Sequence, residues 1–309
     1  MLNQQSVTVL MSTYNGSKYL KEQIESILRQ KKVSVRLIIR DDCSTDGTVE
    51  ILRQYRNGNP NIILENETEN MGPCKSFLYL ISKYNDDEYF AFSDQDDIWD
   101  EDKLITAIKA MKKQGLDDKP LLYYSNLRIV DEHGNFCRLS HKVPHIANKR
   151  YAALVENLAT GCTVVYNKCL ADLAYCIKPL DYSMHDAWLY TIAKLFGSVI
   201  YDFSPHINYR QHHSNQVGTY KNRIDLKKMR QELDIIFGKN GKMWSRNAYL
   251  ILNQVNKKAT SADIHKIKKL VEYDMSLKSK IAVLTDRDYY SDSTYRKIRF
   301  MAEVLCNTL

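Results

Sequence analysis

Through the first hundred residues, short apolar runs alternate with segments whose apolar residues recur every three to four positions. "VTVLMS" (7–12) has the continuous, β-branched character of a buried strand. "SKYLKEQIESILRQ" (17–30) puts Leu20, Ile24, Ile27 and Leu28 on one helical face, with Ser17 as the expected N-cap. "VRLIIRDD" (35–42) predicts a second strand, and "TDGTVEILRQYR" (45–56) a helix capped by Thr45 or Asp46. "NIILENE" and "YFAFSD" predict two more strands on either side of the helical "CKSFLYLISKY". Such alternation predicts parallel βαβ units, whose right-handed crossovers bring the C-terminal ends of the strands to one edge of the sheet.

Beyond residue 120 the pattern changes. "LLYYSNLRIVD" predicts a strand entering a turn at "DEHGN", and "TGCTVVYN" (160–167) a further strand. "DAWLYTIAKLFG" (186–197) reads as a helix ended by Gly197, and "VIYDFSPHINYRQH" as short apolar runs broken by Pro205. From residue 221 only helical periodicity remains. Leu226, Met229, Leu233, Ile236 and Phe237 share one face, and Ile264, Ile267, Leu270, Val271, Met275 and Leu284 share another. The expectation is an α/β body over residues 1–220 followed by a helical region over 221–309.

Charge divides the chain at the same place. Residues 221–309 carry 19 Lys+Arg against 10 Asp+Glu, and residues 1–220 carry 25 against 27, so a slightly acidic body precedes a basic tail. Such asymmetry fits an anionic partner, membrane or nucleic acid, and equally a solvated helical surface. Lys227, Lys228 and Arg230, or Lys266, Lys268 and Lys269, could meet anionic lipid head groups, and homo-oligomerisation through the helices is a third use. No run of about 18 apolar residues occurs. The start "MLNQQSVTVLMSTYN" lacks a leader pattern, and the seven cysteines form no C-x-x-C pair. The expected setting is cytoplasmic with reduced thiols, peripheral to the inner face of the membrane if the tail binds lipid.

Open α/β sheets bind ligands at the carboxyl ends of their strands, so the residues there are the candidate chemistry. The first strand ends in Ser12-Thr13-Tyr14-Asn15-Gly16, the second in Asp41-Asp42 and the fourth in Ser93-Asp94-Gln95-Asp96-Asp97. Neither G-x-G-x-x-G nor G-x-x-x-x-G-K-[ST] follows the first strand, which argues against a dinucleotide fold and excludes a P-loop. Side chains alternate along extended backbone, so Asp94 and Asp96 are expected on one side, a pair suited to a hard divalent cation carrying phosphate oxygens. Helix capping accounts for Asp100, Glu101 and Asp102 but poorly for Asp94 and Asp96. An EF-hand fails because Ile98 stands where the fifth-position ligand belongs. A carboxylate at Asp41 or Asp42 can accept from a base imide or a ribose hydroxyl, or form a turn. Tyr14 can stack on a base or simply pack. Asp186 by itself reads as a helix N-cap.

The ordered set T-Y-N, D-D-x-S-T-D-G-T, N-x-G (Asn70, Gly72) and D-x-D-D resembles the nucleotide-sugar domain of family 2 glycosyltransferases, with the GT-A fold. The resemblance runs from Val7 to Gly218. "SDQDDIW", "HDAW" and "YRQHHSNQVG" narrow it to bacterial rhamnosyltransferases of cell-wall and capsular polysaccharide assembly. The fold it implies is α/β and Rossmann-like: a mixed, mainly parallel sheet flanked by helices, with a C-terminal helical extension. It implies that Asp42, supported by Asp41 and Thr13, binds base and ribose, in a site also lined by Tyr14, Asn15, Asn70 and Gly72. Asp94 would hold the ribose or the metal's waters, and Asp96 and His212 would ligate Mg²⁺ or Mn²⁺, with the adjacent His213 as rival. Asp186 would be the general base. The family pattern has Glu before that Asp where this chain has His185, which leaves open whether His185 aids the acceptor or packs.

The implied activity is inverting transfer of a sugar, L-rhamnose from dTDP-rhamnose, onto a hydroxyl of a polysaccharide or lipid-linked oligosaccharide. A UDP-hexose or UDP-N-acetylhexosamine donor is the alternative within the same mechanism. A sugar nucleotidyltransferase would need a Gly-rich basic loop after the first strand, which is missing. The acidic body argues against a nucleic-acid-binding module.

Overall fold

The computed structural model describes residues 4–65, 69–141, 149–176, 184–212, 242–254, 259–290 and 293–309. Its first half follows the expected alternation: β1 (Gln5–Thr13), α1 (Leu20–Leu28), β2 (Val33–Asp41), α2 (Thr48–Gly58), β3 (Ile62–Glu65), α3 (Gly72–Lys83) and β4 (Tyr89–Ser93). Then come the two-residue β5 (Ile98–Trp99), α4 (Lys103–Lys112), β6 (Leu121–Val130), β7 (Phe136–Leu139), β8 (Val165–Asn167), α5 (Lys168–Cys176), α6 (His185–Phe196) and β9 (Ser198–Arg210). Among the described residues four α-helices follow: α7 (Met243–Gln254), α8 (Ser261–Val271), α9 (Leu277–Leu284) and α10 (Thr294–Cys306).

The strands form one mixed sheet in the order β3-β2-β1-β4-β8-β6-β9-β5, with β7 added on β6. β3, β2, β1 and β4 are parallel, β8 runs against both β4 and β6, and β9 pairs in parallel with β6. The chain order reverses between β1 and β4, so the crevice beyond Thr13 and Ser93 lies at a topological switch point.

Alternation along the buried strands feeds two core layers. Val7, Val9 and Met11 of β1 pack with Leu20, Ile24 and Ile27 of α1 and with Leu104, Ile108 and Met111 of α4. Leu10, Ile38, Phe90 and Phe92 point the other way, onto Phe77 and Leu80 of α3 and onto α6. The C-terminal helices join that second layer: Trp244, Ile251, Leu270, Phe300 and Val304 belong to the same apolar cluster as Trp188 and Leu154. Arg150 pairs with Asp263 at 3.0 Å, and the Tyr151 hydroxyl donates to the same carboxylate at 3.0 Å.

Several local expectations change. Ser17 does not cap α1; its amide donates to Asp46, and Tyr19 occupies the cap position without a side-chain bond. Residues 160–167 are not one strand, because Gly161–Thr163 forms a 3₁₀ turn before the short β8. Residues 198–210 are one strand despite Pro205, which lies opposite Asn126 where the β6–β9 register shifts. A bulge is where a strand tolerates a missing N–H. Met275, expected on an inward face, is 75% exposed. The helix expected around 226–237 lies outside the described residues.

Gly197 ends α6 as expected, for a steric reason. A β-carbon there would lie 1.7 Å from the Pro120 carbonyl oxygen, which accepts from the Ser198 amide at 2.9 Å and starts the β6–β9 pairing. Gly197→Ala should therefore cost about 1–3 kcal/mol as an overpacking defect, read from the urea midpoint. An unchanged midpoint would show that this junction is not close-packed.

Candidate active site

The expected strand-end residues do meet at one edge. β1 and β2 are paired to their last residues, Thr13 opposite Asp41, and the Thr13 hydroxyl donates to Asp41 at 2.8 Å. Asp41 also accepts from the Ser44 amide and hydroxyl, at 2.8 and 2.6 Å. Tyr14 is half exposed, and its backbone is tied to the acidic loop by two bonds to the Gln95 amide. Asn15, with φ of 48°, accepts the Thr45 amide on its side chain and donates its own amide to Ser44. Tyr14 thus offers a free ring, whereas the Asn15 side chain is engaged in joining two loops.

Asp41 and Asp42 take different places. Asp42 is 2% exposed, and its carboxylate accepts from the Arg40 guanidinium, the amides of Met71 and Gly72 at 2.8 and 2.7 Å, and the Ser76 hydroxyl at 3.3 Å. The Asn70 side chain donates to the Asp42 carbonyl at 2.8 Å, and Gly72 adopts φ of 76°. Asp42, Asn70 and Gly72 therefore form one rim in which Asp42 fixes the backbone turn. Asp41 is the more exposed of the acidic pair.

The acidic loop is not extended past Ser93, so the expected alternation does not apply to it. Asp94 groups with Asp97 and Cys162, their ligand atoms lying within 4.8 Å of one another. Asp96 instead turns to His212, whose Nε2 is 2.7 Å from its carboxylate. Burial, then the charges of Asp96 and Asp186, push the Asp94 carboxyl up to about 7. Asp97 is fully buried and held far above the carboxylate range by burial and by the charges of Asp96 and Asp94. The Arg210 backbone amide donates to Asp97 at 3.2 Å, while its side chain donates to the Asp96 carbonyl at 3.0 Å and pairs with Glu22. Beneath them Lys103 is 1% exposed, its Nζ 3.5 Å from the centre of the Trp99 ring; burial pushes it down to about 7.

Asp186 lies in the first turn of α6, accepting from the Gly161 amide at 3.1 Å and from the Ala187 amide at 2.7 Å. His185 packs: it is 6% exposed, stacked on Phe77 at 4.1 Å and edge-on to Phe92 at 4.7 Å. Burial lowers its pKa, and neither ring nitrogen has a hydrogen-bond partner. A side chain at Gly161 would meet His185 Nε2 at 2.9 Å, so this glycine lets the 3₁₀ turn reach Asp186. His213 lies outside the described residues. A cavity of about 350 Å³ is lined by Asp186 together with Trp244 and Phe300. A larger hollow of about 450 Å³ lies at the opposite end of the strands, beside Gln5 and Tyr89.

The sequence model of glycosyl transferase family 2 matches residues 8–171, more than half of the 309-residue chain. The chain belongs to that family. It is a glycosyltransferase, and Thr13, Asp41, Asp42, Asp94 and Asp96 all fall within the matched segment. The dTDP-rhamnosyl transferase RfbG of Shigella flexneri is 32% identical over 224 residues, covering 67% of this chain and 73% of the relative. Among solved structures, Staphylococcus aureus TarS 1–349 in complex with UDP-GlcNAc has a TM-score of 0.56 at 15% identity, over 98% of this chain and 89% of that one. The mannosyltransferase PcManGT of Pyrobaculum calidifontis, in complex with GDP-Man and Mn²⁺, has a TM-score of 0.50 at 16% identity, over 97% and 85%. Likeness at that identity establishes the GT-A fold.

Sequence reasoning gave Asp97 no role of its own and missed Cys162, Lys103 and Arg210. The first was absorbed into the acidic run, and the others carry no local signal for a shared site.

Two predictions follow from these environments. Asp42→Asn leaves the buried Arg40 without its counter-charge and should cost about 3–5 kcal/mol, whereas Asp41→Asn should stay within about 1 kcal/mol; urea titration separates them. Asp94 has a folded-state pKa above its unfolded one, so the stability from its protonated form is lost as the pH rises through about 7. The stability of Asp94→Asn relative to the unsubstituted protein should therefore grow from about pH 4 to about pH 7, by up to about 1.4 kcal/mol per unit, and level off above that. A difference independent of pH would contradict this placement of Asp94.

Proposed function

We propose that the chain transfers a sugar, L-rhamnose from dTDP-rhamnose, with inversion onto a hydroxyl of a bacterial surface polysaccharide or its lipid-linked precursor. The observation that carries the reading is the position of Asp186, whose charge acts on Asp94 at the acidic strand edge and which also lines a cavity of about 350 Å³. The choice of rhamnose rests on RfbG, named a dTDP-rhamnosyl transferase. UDP-GlcNAc, held by TarS, is the alternative donor.

In this reading the base and ribose lie over Tyr14 and against Asp41, on the rim that Asp42, Asn70 and Gly72 hold. The residues present fit a divalent cation. Two neighbouring ligands of octahedral Mg²⁺ at about 2.1 Å stand about 3 Å apart, and Asp96 and His212 are already 2.7 Å apart. The forced proximity of Asp94, Asp96 and Asp97 also favours added positive charge. Bound there by Asp96 and His212, with Asp94 beside them, Mg²⁺ or Mn²⁺ would supply electrostatic stabilisation of the leaving diphosphate. Asp186, oriented by the Gly161 and Ala187 amides, takes the proton of the acceptor hydroxyl. The acceptor oxygen forms its bond to the anomeric carbon as the bond from that carbon to the diphosphate oxygen breaks, the electron pair leaving with the nucleotide. The transition state has oxocarbenium character, and one displacement inverts the centre.

No helix among the described residues is long and apolar enough to cross a membrane. Of the basic clusters, Lys266 and Lys269 are paired with Asp286, and Lys268 stands 3.6 Å from Glu272. They therefore bear less on lipid binding than the exposed Ile298, Met301 and Leu305, which recur along one face of α10. That stripe supports a peripheral membrane contact. Lys227, Lys228 and Arg230 lie outside the described residues.

Calorimetry with dTDP-rhamnose, UDP-glucose, UDP-galactose, UDP-GlcNAc and GDP-mannose should show dTDP-rhamnose binding selectively, and at least about tenfold more weakly once the metal is chelated. Asp186→Asn should bind that donor normally and transfer it about 10²–10⁴-fold more slowly. Selective binding of another donor would discard rhamnose and keep the mechanism. Undiminished transfer by Asp186→Asn would overturn the mechanism.

A further inference from the structure

Tyr19, at the start of α1, is 8% exposed, yet among the described residues it joins neither apolar layer of the core. Its neighbour Leu20 does. Around the Tyr19 ring stand charged groups and the metal edge. Its centre is 4.9 Å from that of the His212 ring, and the two planes lie 32° from parallel. The central guanidinium carbon of Arg210 is 4.6 Å from the same centre, and Lys18 Nζ is 4.8 Å from it. Arg210 and His212 reach one ring because side chains two apart on extended backbone point the same way. The Gln211 amide between them still donates to the Val130 carbonyl, at 2.9 Å.

Both supports of the ring are fixed. Arg210 is 3% exposed; its side chain donates to the Asp96 carbonyl at 3.0 Å and the Glu132 carbonyl at 2.9 Å, and pairs with Glu22 in the first turn of α1. The amides of Tyr19 and Leu20 both donate to the Gly16 carbonyl, at 3.1 Å. A guanidinium against an aromatic ring is itself attractive. His212 meets Asp96 through Nε2 at 2.7 Å. One contact at Nε2 does not by itself set the plane of an imidazole, whereas a metal ligand must aim its lone pair, and groups beyond the ligands do that aiming. An aromatic ring stacked on the imidazole supplies the second constraint. Apolar filling of the core would call for none of this, since Tyr19 lies outside both apolar layers.

We propose that Tyr19, clamped by Arg210, is a positioning residue for the metal site, setting the plane of His212 so that Nε2 and Asp96 receive a divalent cation with little rearrangement. The proposal rests on the reading of Asp96 and His212 as ligands. It also ties the metal to the nucleotide loop, because the turn that carries Tyr19 hangs from Gly16, next to Asn15 and Tyr14.

Water-proton relaxation, which changes when Mn²⁺ joins a slowly tumbling protein, gives the ion's affinity for the full chain with dTDP present and without turnover. Tyr19→Leu should weaken Mn²⁺ binding about tenfold, and Tyr19→Phe, which keeps the ring, should stay within about twofold. In a His212→Asn background Tyr19→Leu should add less than about twofold, because its effect passes through the imidazole. A second measurement needs no change at Tyr19. The ring-proton resonances that vanish in His212→Asn should lie upfield of the usual histidine range in the metal-free protein, shifted by the stacked ring. Equal losses in both backgrounds, unchanged affinity in Tyr19→Leu, or His212 resonances in the ordinary range would overturn the proposal. Mn²⁺ binding undiminished by His212→Asn would remove the ligand reading itself, and the proposal with it.

Discussion

Four carboxylates, Asp94, Asp96, Asp97 and Asp186, are brought to one end of the sheet, and the rest of the site is arranged around their mutual repulsion. The fold does not relieve it by dispersing them. Asp96 is given to His212, Asp97 to the Arg210 amide with Lys103 buried behind it, and Asp186 to two amides at the start of α6. Asp94 is left with a carboxyl raised to about 7. Perturbation of this kind, at a topological switch point, is what a binding site for an added cation and its anionic ligand requires.

The repulsion is sustainable because the surrounding backbone is over-determined. Gln95 ties the acidic loop to Tyr14, Asp42 ties the rim at Met71 and Gly72 to β2, and Gly161 carries the 3₁₀ turn to Asp186. The helices Met243–Gln254 to Thr294–Cys306 complete the arrangement, since they share an apolar cluster with α6 and wall the space that Asp186 faces.

Much of this was legible in the sequence because it depends on local pattern. The four parallel strands, their helices and the strand-end acids follow from periodicity and crossover handedness alone. What failed depended on pairing at a distance. Residues 198–210 form one strand because β6 accommodates Pro205 at a bulge, and residues 160–163 turn because Gly161 must approach Asp186. Alternation misassigned Asp94 and Asp96 because the strand stops at Ser93. Cys162 and Arg210 reach the acids from segments far along the chain, and no spacing announces them. Asp186 shows the limit most plainly. Its local sequence reads only as a helix start, and its role rests on the family resemblance and on its neighbours in space.

The central claim is that the Asp96–His212 edge is where metal and nucleotide meet. Anomalous scattering from crystals grown with Mn²⁺ and dTDP tests it most directly. The account predicts one strong peak in coordination contact with Asp96 and His212, with Asp94 alongside and the diphosphate completing the ion's shell. Among the described residues two groups of three have ligand atoms close enough to hold an ion, Asp94 with Asp97 and Cys162, and Asp100 with Asp102 and His206. A Mn²⁺ peak at the second group, with nucleotide bound and none at Asp96, would contradict the account.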